Sequence, residues 1–324
     1  MKIGKLPNDV LNQEILSKLT INNKEVLVQP KVGEDCSIVD FGEEKCVLTT
    51  DPITGAVNDI GSLAVHISCN DIASAGVKPL GILVTLLAPP SSNIDDIKKV
   101  MMDITKTCEK INVTVLGGHT EVTDAVNKIV VSITAIGKGK NIVTTGGAKI
   151  NDDIVVTGYA GLEGSVIIAA DKEKELLSIF NKEEIENIKL MLNDISVIET
   201  GLIAGNFKVN SMHDATEGGI LGAIWEVGEA SNLAVSIDIN KIPIKEETIK
   251  IANLFKIDPY KLISSGSMII TTEKGEELVT VLKENGINAA VVGKIVEGDN
   301  TILIGNKKQI LDQPDSDELY KVIN

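Results

Sequence analysis

Four short segments in the first third of the chain set carboxylates beside glycines and hydroxyls: Gly33-Glu34-Asp35-Cys36, Thr49-Thr50-Asp51-Pro52, Cys69-Asn70-Asp71-Ile72 and Gly117-Gly118-His119-Thr120-Glu121. Hard oxygen donors delivered singly from several elements are what Mg²⁺ takes as ligands, and a metal-polyphosphate is what such a set would gather. The chain contains neither GxxxxGK[ST] nor GxGxxG, so a phosphate cradle of either familiar kind is excluded. It also lacks arginine entirely: its 31 basic side chains are all lysines, and bidentate guanidinium forks are unavailable. Any phosphate must be held by metal, Lys and backbone N–H.

These residues need elements to position them. Residues 46–50 form an apolar run ending in Asp51, the pattern of a buried strand that hands over a polar residue at its C-terminal end, which puts Asp51 at a sheet edge. Leu63, Ala64, Ile67, Ile72 and Ala75 recur at helical spacing over residues 60–75, with Gly76 placed to end the helix and Pro79 beyond, so Asn70 and Asp71 lie inside it. A strand over 81–88 is closed by Pro89-Pro90, residues 94–111 form an amphipathic helix, and a strand over 113–116 runs into a Gly117-Gly118 turn. A further strand at 129–136 and a Gly/Lys-rich linker through Gly147 close the first half, which opens with a short helix over 14–19.

A second series follows. It has strands at 153–157, 234–239, 267–271 and 289–293 and helices at 183–192 and 195–205, and a glycine-rich loop over 158–165 leads into another helix. Ser211-Met212-His213-Asp214 precedes Ala215-Thr216-Glu217-Gly218-Gly219, after which Ile220, Leu221, Ile224, Val227 and Ala230 lay a stripe along a helix. A glycine pair opening a helix N-terminus exposes N–H groups and the positive end of the dipole, which favours an anion. The reading is an α/β (α+β) chain of two domains, residues 1–147 and 148–324.

Composition narrows the partners. With 324 residues, 43% hydrophobic and 2% aromatic, the cores must be built from Ile, Val, Leu and Ala. A net charge of −15 without a basic stripe excludes a nucleic-acid surface and disfavours anionic membrane. Cysteines 36, 46, 69 and 108 form no CxxC pair and sit in apolar surroundings, as buried thiols of a reduced compartment do. The first residues lack an apolar signal core and no stretch reaches the roughly 18 apolar residues of a spanning helix, so a cytoplasmic protein is expected.

Each segment also has a plainer reading. An Asp after a strand is commonly a turn or cap residue, and a glycine doublet is commonly a tight turn. Asp71 is harder to explain that way, because it interrupts the apolar helix Ile67-Ser68-Cys69-Asn70-Asp71-Ile72-Ala73, and a buried carboxylate needs a partner or a metal. His119 and His213 suit ligation, phosphate contact or acid–base work equally, and His66, on the helix, reads as structural.

Taken together, Glu34-Asp35, Thr50-Asp51, Asn70 to Gly76 and Gly117 to Glu121 resemble the pattern of the aminoimidazole ribonucleotide synthetase (PurM-like) superfamily, most of all its hydrogenase-maturation HypE branch. His213-Asp214-Ala215-Thr216-Glu217-Gly218-Gly219 resembles the superfamily's Asp-x-Thr-x-Gly-Gly loop, and Leu262-Ile263-Ser264-Ser265-Gly266-Ser267-Met268 a small-residue segment that HypE-like proteins carry before a late strand. The likeness spans nearly the whole chain. It implies a homodimer whose first domains pair their sheets into a shared barrel, with Mg-ATP held between first and second domains, and phosphorylation of an amide-type oxygen on a small-molecule or protein-borne acceptor.

In that setting Glu34, Asp35, Asp51 and Asp71 are the expected Mg²⁺ ligands. Thr50, Asn70, Gly117, Gly118, Thr216, Gly218 and Gly219 are expected beside ATP, with His119, Glu121, His213 and Asp214 at the chemistry. The departures are specific. HypE-like proteins carry the reacting group on a C-terminal Cys, whereas here no cysteine follows Cys108, and His213 and Glu217 stand where arginines are usual. Three readings follow: a HypE-like ATP-dependent enzyme of unassigned substrate, a small-molecule kinase of thiamine-phosphate or selenophosphate type, and a nucleotide-binding partner protein without turnover in metalloenzyme maturation. Against the kinases stand His119 where an Asp is expected and the absence of an N-terminal nucleophile loop.

Overall fold

The computed structural model of the chain describes residues 7–19, 23–53, 60–305, 307–313 and 316–323. In the first half, α1 (Asn8–Val10) continues as single turns of π and 3-10 helix to Lys18, where the sequence predicts a helix over 14–19. A six-stranded sheet follows, made of β1 (Val26–Val28), β2 (Ser37–Asp40), β3 (Lys45–Ile53), β4 (Pro79–Ala88), β5 (Thr114–Val122) and β6 (Val130–Gly139) in the order β1-β2-β3-β6-β4-β5. Only β4 and β5 are parallel, because α3 (Ile94–Ile111) carries the chain back between them. The helix α2 (Ile60–Ser74) lies against β3 and β6, with α3 on its flank. Apolar residues cover α2 nearly all round, since the sheet, α3 and the second half each take one of its faces.

The second half is a seven-stranded sheet of β7 (Asp153–Thr157), β8 (Ser211–Asp214), β9 (Ala234–Asp238), β10 (Met268–Thr272), β11 (Ala289–Val296), β12 (Thr301–Ile304) and β13 (Lys307–Ile310). Their order is β13-β12-β9-β11-β7-β10-β8, antiparallel except for β9 beside β12. Its helices are α4 (Leu162–Asp171), α5 (Glu173–Leu176), α6 (Lys182–Leu190), α7 (Ile198–Asn206), α8 (Gly219–Ser231), α9 (Glu246–Phe255), α10 (Gly275–Glu284) and α11 (Tyr320–Ile323). The architecture is mixed α/β with two sheets, as the alternation of patterns implies.

Two local expectations are corrected. Asp51 does not end its strand: β3 runs on to Ile53, and Asp51 pairs across to Ile133 of β6. Among the described residues β2 pairs with β3 only as far as Leu48, so the far edge of β3 is open where Thr49, Thr50 and Asp51 lie. Gly117 and Gly118 do not form a turn either; they lie inside β5, at the sheet edge. The register shifts by one residue beside Ile82 and Leu83, and a Cβ on Gly118 would come within 1.9 Å of Val84 O, so glycine is what lets the two strands close up. The Gly/Lys stretch read as a linker is partly strand, since β6 extends to Gly139.

The halves are joined through α2 and α7. A Cβ on Gly201 would sit 2.2 Å from Ala73 O, so the two helices meet backbone to backbone. Asn70 completes the joint: its Nδ2 donates to Ile195 O and its Oδ1 accepts from Val197 N, each at 2.9 Å. Its amide is therefore spent on the domain junction.

Candidate functional site

A cavity of about 590 Å³ is lined by residues from both halves. Its first wall is acidic. The loop before β2 brings Glu34 and Asp35, the free side of β3 brings Thr49, Thr50 and Asp51, α2 brings Asp71, and the end of β8 brings His213 and Asp214. Residues separated by up to 180 positions thus share one surface, because β3, α2 and β8 pack together at the domain junction.

Asp71 is buried, and Thr49 Oγ1 lies 2.5 Å from its Oδ2 and 3.2 Å from Asp51 Oδ2, so one hydroxyl proton serves two carboxylates. Burial pushes the Asp71 carboxyl well above the ordinary range, and the charges of Asp214, Asp51 and Asp35 push it further. Asp35 Oδ2 accepts from Ser74 Oγ at 2.8 Å, and its Oδ1 is 2.7 Å from His213 Nδ1. The other ring nitrogen, Nε2, is 2.9 Å from Glu226 Oε2. Burial works against a charged imidazole, yet the carboxylates of Asp35 and Glu226 outweigh it and hold His213 well above its usual 6.5. His213 is an internal cation clamped between two carboxylates.

Asp35, His213 and Asp214 offer ligand atoms within 4.8 Å of one another. A protonated imidazole does not ligate, so the donors left for a cation are the oxygens of Asp35, Asp51, Asp71 and Asp214, a hard set that suits Mg²⁺. The pressure on Asp71 gives the physical test of fit, since three like charges face it and a divalent ion would relieve them. Glu34 is turned aside: its carboxylate accepts from the amides of Thr145 at 3.4 Å and Gly146 at 3.1 Å, tying the first loop to the start of the second half. Burial raises its pKa against the pull of those two amides.

The remaining expected residues divide. Thr50 and Thr216 line the cavity, and Thr50 Oγ1 accepts from Thr134 Oγ1 at 3.0 Å. Gly218 does open α8, with φ of 86°, but its N–H donates to Asp317 Oδ2 at 2.7 Å, so the tail of the chain supplies the anion at that helix N-terminus. Gly219, next to it, is crowded by Leu262 and Tyr260. Gly117, Gly118, His119 and Glu121 sit on β5 outside the cavity lining; His119 and Glu121 are exposed and pair with each other at 3.2 Å. His66 is buried, and burial, helped by Lys110, lowers its pKa to about 4, in keeping with a structural neutral ring. Cys36, Cys69 and Cys108 are buried free thiols, while Cys46 is only half-buried.

Sequence reasoning missed Glu163, Glu226, Ser265 and Asp317, all of which line the cavity. For Glu163 a signal existed, since it is the lone carboxylate in the apolar helix Leu162-Glu163-Gly164-Ser165-Val166-Ile167-Ile168, the same interruption that singled out Asp71. Asp317 gave none, because only tertiary folding brings it to Gly218. No helix of the described residues is long and apolar enough to cross a membrane.

Comparison with known proteins agrees with this architecture. Residues 33–139 match the family described as AIR synthase related protein, N-terminal domain, and residues 149–306 match its C-terminal domain. A Methanocaldococcus jannaschii protein named for hydrogenase expression/formation is 28% identical over 98% of this chain and 97% of its own length. Selenide, water dikinase of Methanococcus maripaludis is 30% identical over 82% of this chain and 84% of its own. Among solved structures, one from the HypE–HypF complex superposes with a TM-score of 0.77 at 21% identity, covering 94% of this chain and 99% of that one. A ThiL structure complexed with AMPPCP and TMP gives 0.72 at 21% identity, covering 86% and 90%. The chain belongs to the AIR synthase-related, PurM-like superfamily, with HypE and hydrogenase-formation proteins among its relatives.

Proposed function

We propose that the chain binds Mg-ATP against the acidic wall and transfers the γ-phosphoryl group to an amide-type or similar acceptor held toward the second half. The observation that carries this reading is the convergence of Asp35, Asp51, Asp71 and Asp214 on one cavity, with His213 fixed among them as a counter-charge. These four carboxylates would hold Mg²⁺, which when bound neutralises phosphate charge and offsets the missing guanidinium groups. Thr50 and Thr216 are placed to hydrogen-bond phosphate or ribose oxygens, and the two halves of the cavity would orient donor against acceptor. ThiL with AMPPCP and TMP, a phosphoryl-donor analogue and a small acceptor bound to the same fold, supports the assignment.

The protein works as a homodimer in this reading. Among the described residues the β5 edge is unpaired, and Leu80, Leu83, Leu116 and Val122 around it are exposed, an arrangement that a second copy would cover. Gly117 to Glu121 would then act at the dimer interface.

Thermal unfolding with and without Mg-ATP tests the central claim. Nucleotide at a hundred times its dissociation constant stabilises by about 2.7 kcal/mol, so a clear rise in Tm is expected, and Asp71→Asn should remove most of it. An unchanged Tm at millimolar Mg-ATP would sink the proposal. ADP release with amides or thiamine phosphate present then separates turnover from binding alone.

A further inference from the structure

Two hydroxyls tie the acidic wall together, and neither belongs to an expected site residue. Thr49 and Asp51 are two apart on β3 and so share a face, the one that meets Asp71 of α2, while Thr50 between them turns the other way and pairs with Thr134 across the strands. Thr49 Oγ1 donates to Asp71 Oδ2 at 2.5 Å, the short end of the range for a hydroxyl on a carboxylate, and lies 3.2 Å from Asp51 Oδ2. Ser74, buried at the last turn of α2, stands one turn after Asp71. Its Oγ is 2.8 Å from Asp35 Oδ2 and 2.7 Å from the Asp71 carbonyl oxygen, on which the Cys36 thiol also closes at 3.1 Å. One strand hydroxyl and one helix hydroxyl therefore fix three carboxylates relative to one another. Like charges gathered this closely repel, and Asp214 stands with them. Without the hydroxyls the side chains would rotate apart.

We propose that Thr49, supported by Ser74, is a positioning residue that holds Asp51 and Asp71 side by side and so tunes the wall to a small divalent cation over a large one. This rests on the reading that these carboxylates take Mg²⁺, and it adds what decides the size of the ion. Mg²⁺ demands a near-ideal octahedron of oxygens, whereas Ca²⁺ accepts more ligands in looser arrangements, so a wall that splays loses Mg²⁺ first. Each carboxylate oxygen carries two lone pairs, and the Thr49 hydroxyl can keep its bond to Asp71 while the remaining lone pairs face the ion. Thr49 itself need not ligate. Groups that orient metal ligands in this way set affinity by about tenfold to a hundredfold. Valine matches threonine in shape and lacks the hydroxyl, so Thr49→Val leaves no proton between Asp51 and Asp71; serine keeps it.

Mn²⁺ alone is the probe, because free and bound ion differ in their electron paramagnetic resonance signal; Mg²⁺ and Ca²⁺ are then titrated against it as competitors, on the full chain and without nucleotide. Thr49→Val should weaken Mn²⁺ by about tenfold or more and weaken Mg²⁺ further than Ca²⁺, while Thr49→Ser keeps both near wild type. Ser74→Ala should weaken Mn²⁺ by a smaller factor, since His213 still holds the other oxygen of Asp35. A residue that only supported the fold would lower all three ions alike and leave the Mg²⁺-to-Ca²⁺ ratio where it was. An unchanged ratio, or wild-type Mn²⁺ affinity, in Thr49→Val overturns the proposal; if that variant does not fold, Thr49→Ala is read by the same two measures. A wild-type chain that takes up no Mn²⁺ sinks the metal reading and this inference with it, whereas binding retained without the hydroxyl sinks only the role of Thr49.

Discussion

The cavity has two acidic ends, and the chain manages their charge in different ways. At the acidic wall a fixed cation is built in: His213 sits between Asp35 and Glu226, whose carboxylates hold it protonated beside Asp51, Asp71 and Asp214. At the Glu163 end the lining offers no basic side chain among the described residues, and burial raises Glu163 to about 7 and Asp317 to about 6. The first end gathers Asp35, Asp51, Asp71 and Asp214 around that cation, a hard oxygen set of the kind a metal ion takes. The second holds its carboxyls toward the neutral form, which avoids the cost of a full buried charge.

Breaking the built-in cation should have the largest effect. His213→Gln leaves Asp35 and Glu226 facing each other uncompensated, and removing one partner of a buried ion pair typically costs about 3–5 kcal/mol, read as a lowered urea midpoint. If His213→Gln unfolds like wild type, the imidazolium assignment is wrong.

A pH titration of unliganded stability comes next. Glu163 rises from an ordinary 4.5 to about 7 on folding, which corresponds to roughly 3 kcal/mol present at low pH and lost as pH climbs through that window. Asp317 loses its share in the same direction, from an ordinary 3.8 toward about 6. His213 is raised as well, but from 6.5 upward, so its contribution persists through neutrality and disappears only at higher pH. Unliganded Tm should therefore fall between about pH 4.5 and 7, and Glu163→Gln should flatten that fall. A wild-type profile flat across this window would remove the contrast between the two ends.

The domain junction offers a smaller perturbation. Gly201→Ala drives a methyl to within 2.2 Å of Ala73 O, so α7 must shift from α2; overpacking of this kind costs about 1–3 kcal/mol, and the single tryptophan, Trp225, reports the unfolding. It should also weaken Mg-ATP, since the two halves of the cavity meet through these helices. The smallest change expected is a gain. Asp71→Asn removes the carboxyl that burial and the facing carboxylates hold well above its ordinary range, and should raise unliganded Tm at neutral pH by about 2–4 °C, the shift that about 1 kcal/mol gives in a domain of this size. Stability gained by the same substitution that abolishes the nucleotide shift would mark Asp71 as a residue kept for binding.

Much of this was legible in one dimension, and for a clear reason. Hydrophobic periodicity over α2, α3 and α8 reports burial directly, and a lone carboxylate in a buried helix is a local anomaly, so Asp71 stood out. The same test applied to α4 would have found Glu163. Asn70 was misleading: an amide inside an apolar helix looks like a ligand contact, yet its partners are Ile195 and Val197, over a hundred residues away.

The sequence by itself determined the layered α/β architecture, the scarcity of aromatic core, the absence of guanidinium groups, and the acidic residues from which a site could be drawn. Only the tertiary structure decided which of them meet. It brought Asp35, Asp51, Asp71, His213 and Asp214 together, gave the Gly218 amide to Asp317, and left His119 and Glu121 on an outer strand. Local patterns fix whether a side chain is buried, because that depends on the period of its own helix or strand. Which charge faces which depends on the packing of β3, α2 and β8 and on the return of the tail, contacts made between distant parts of the chain.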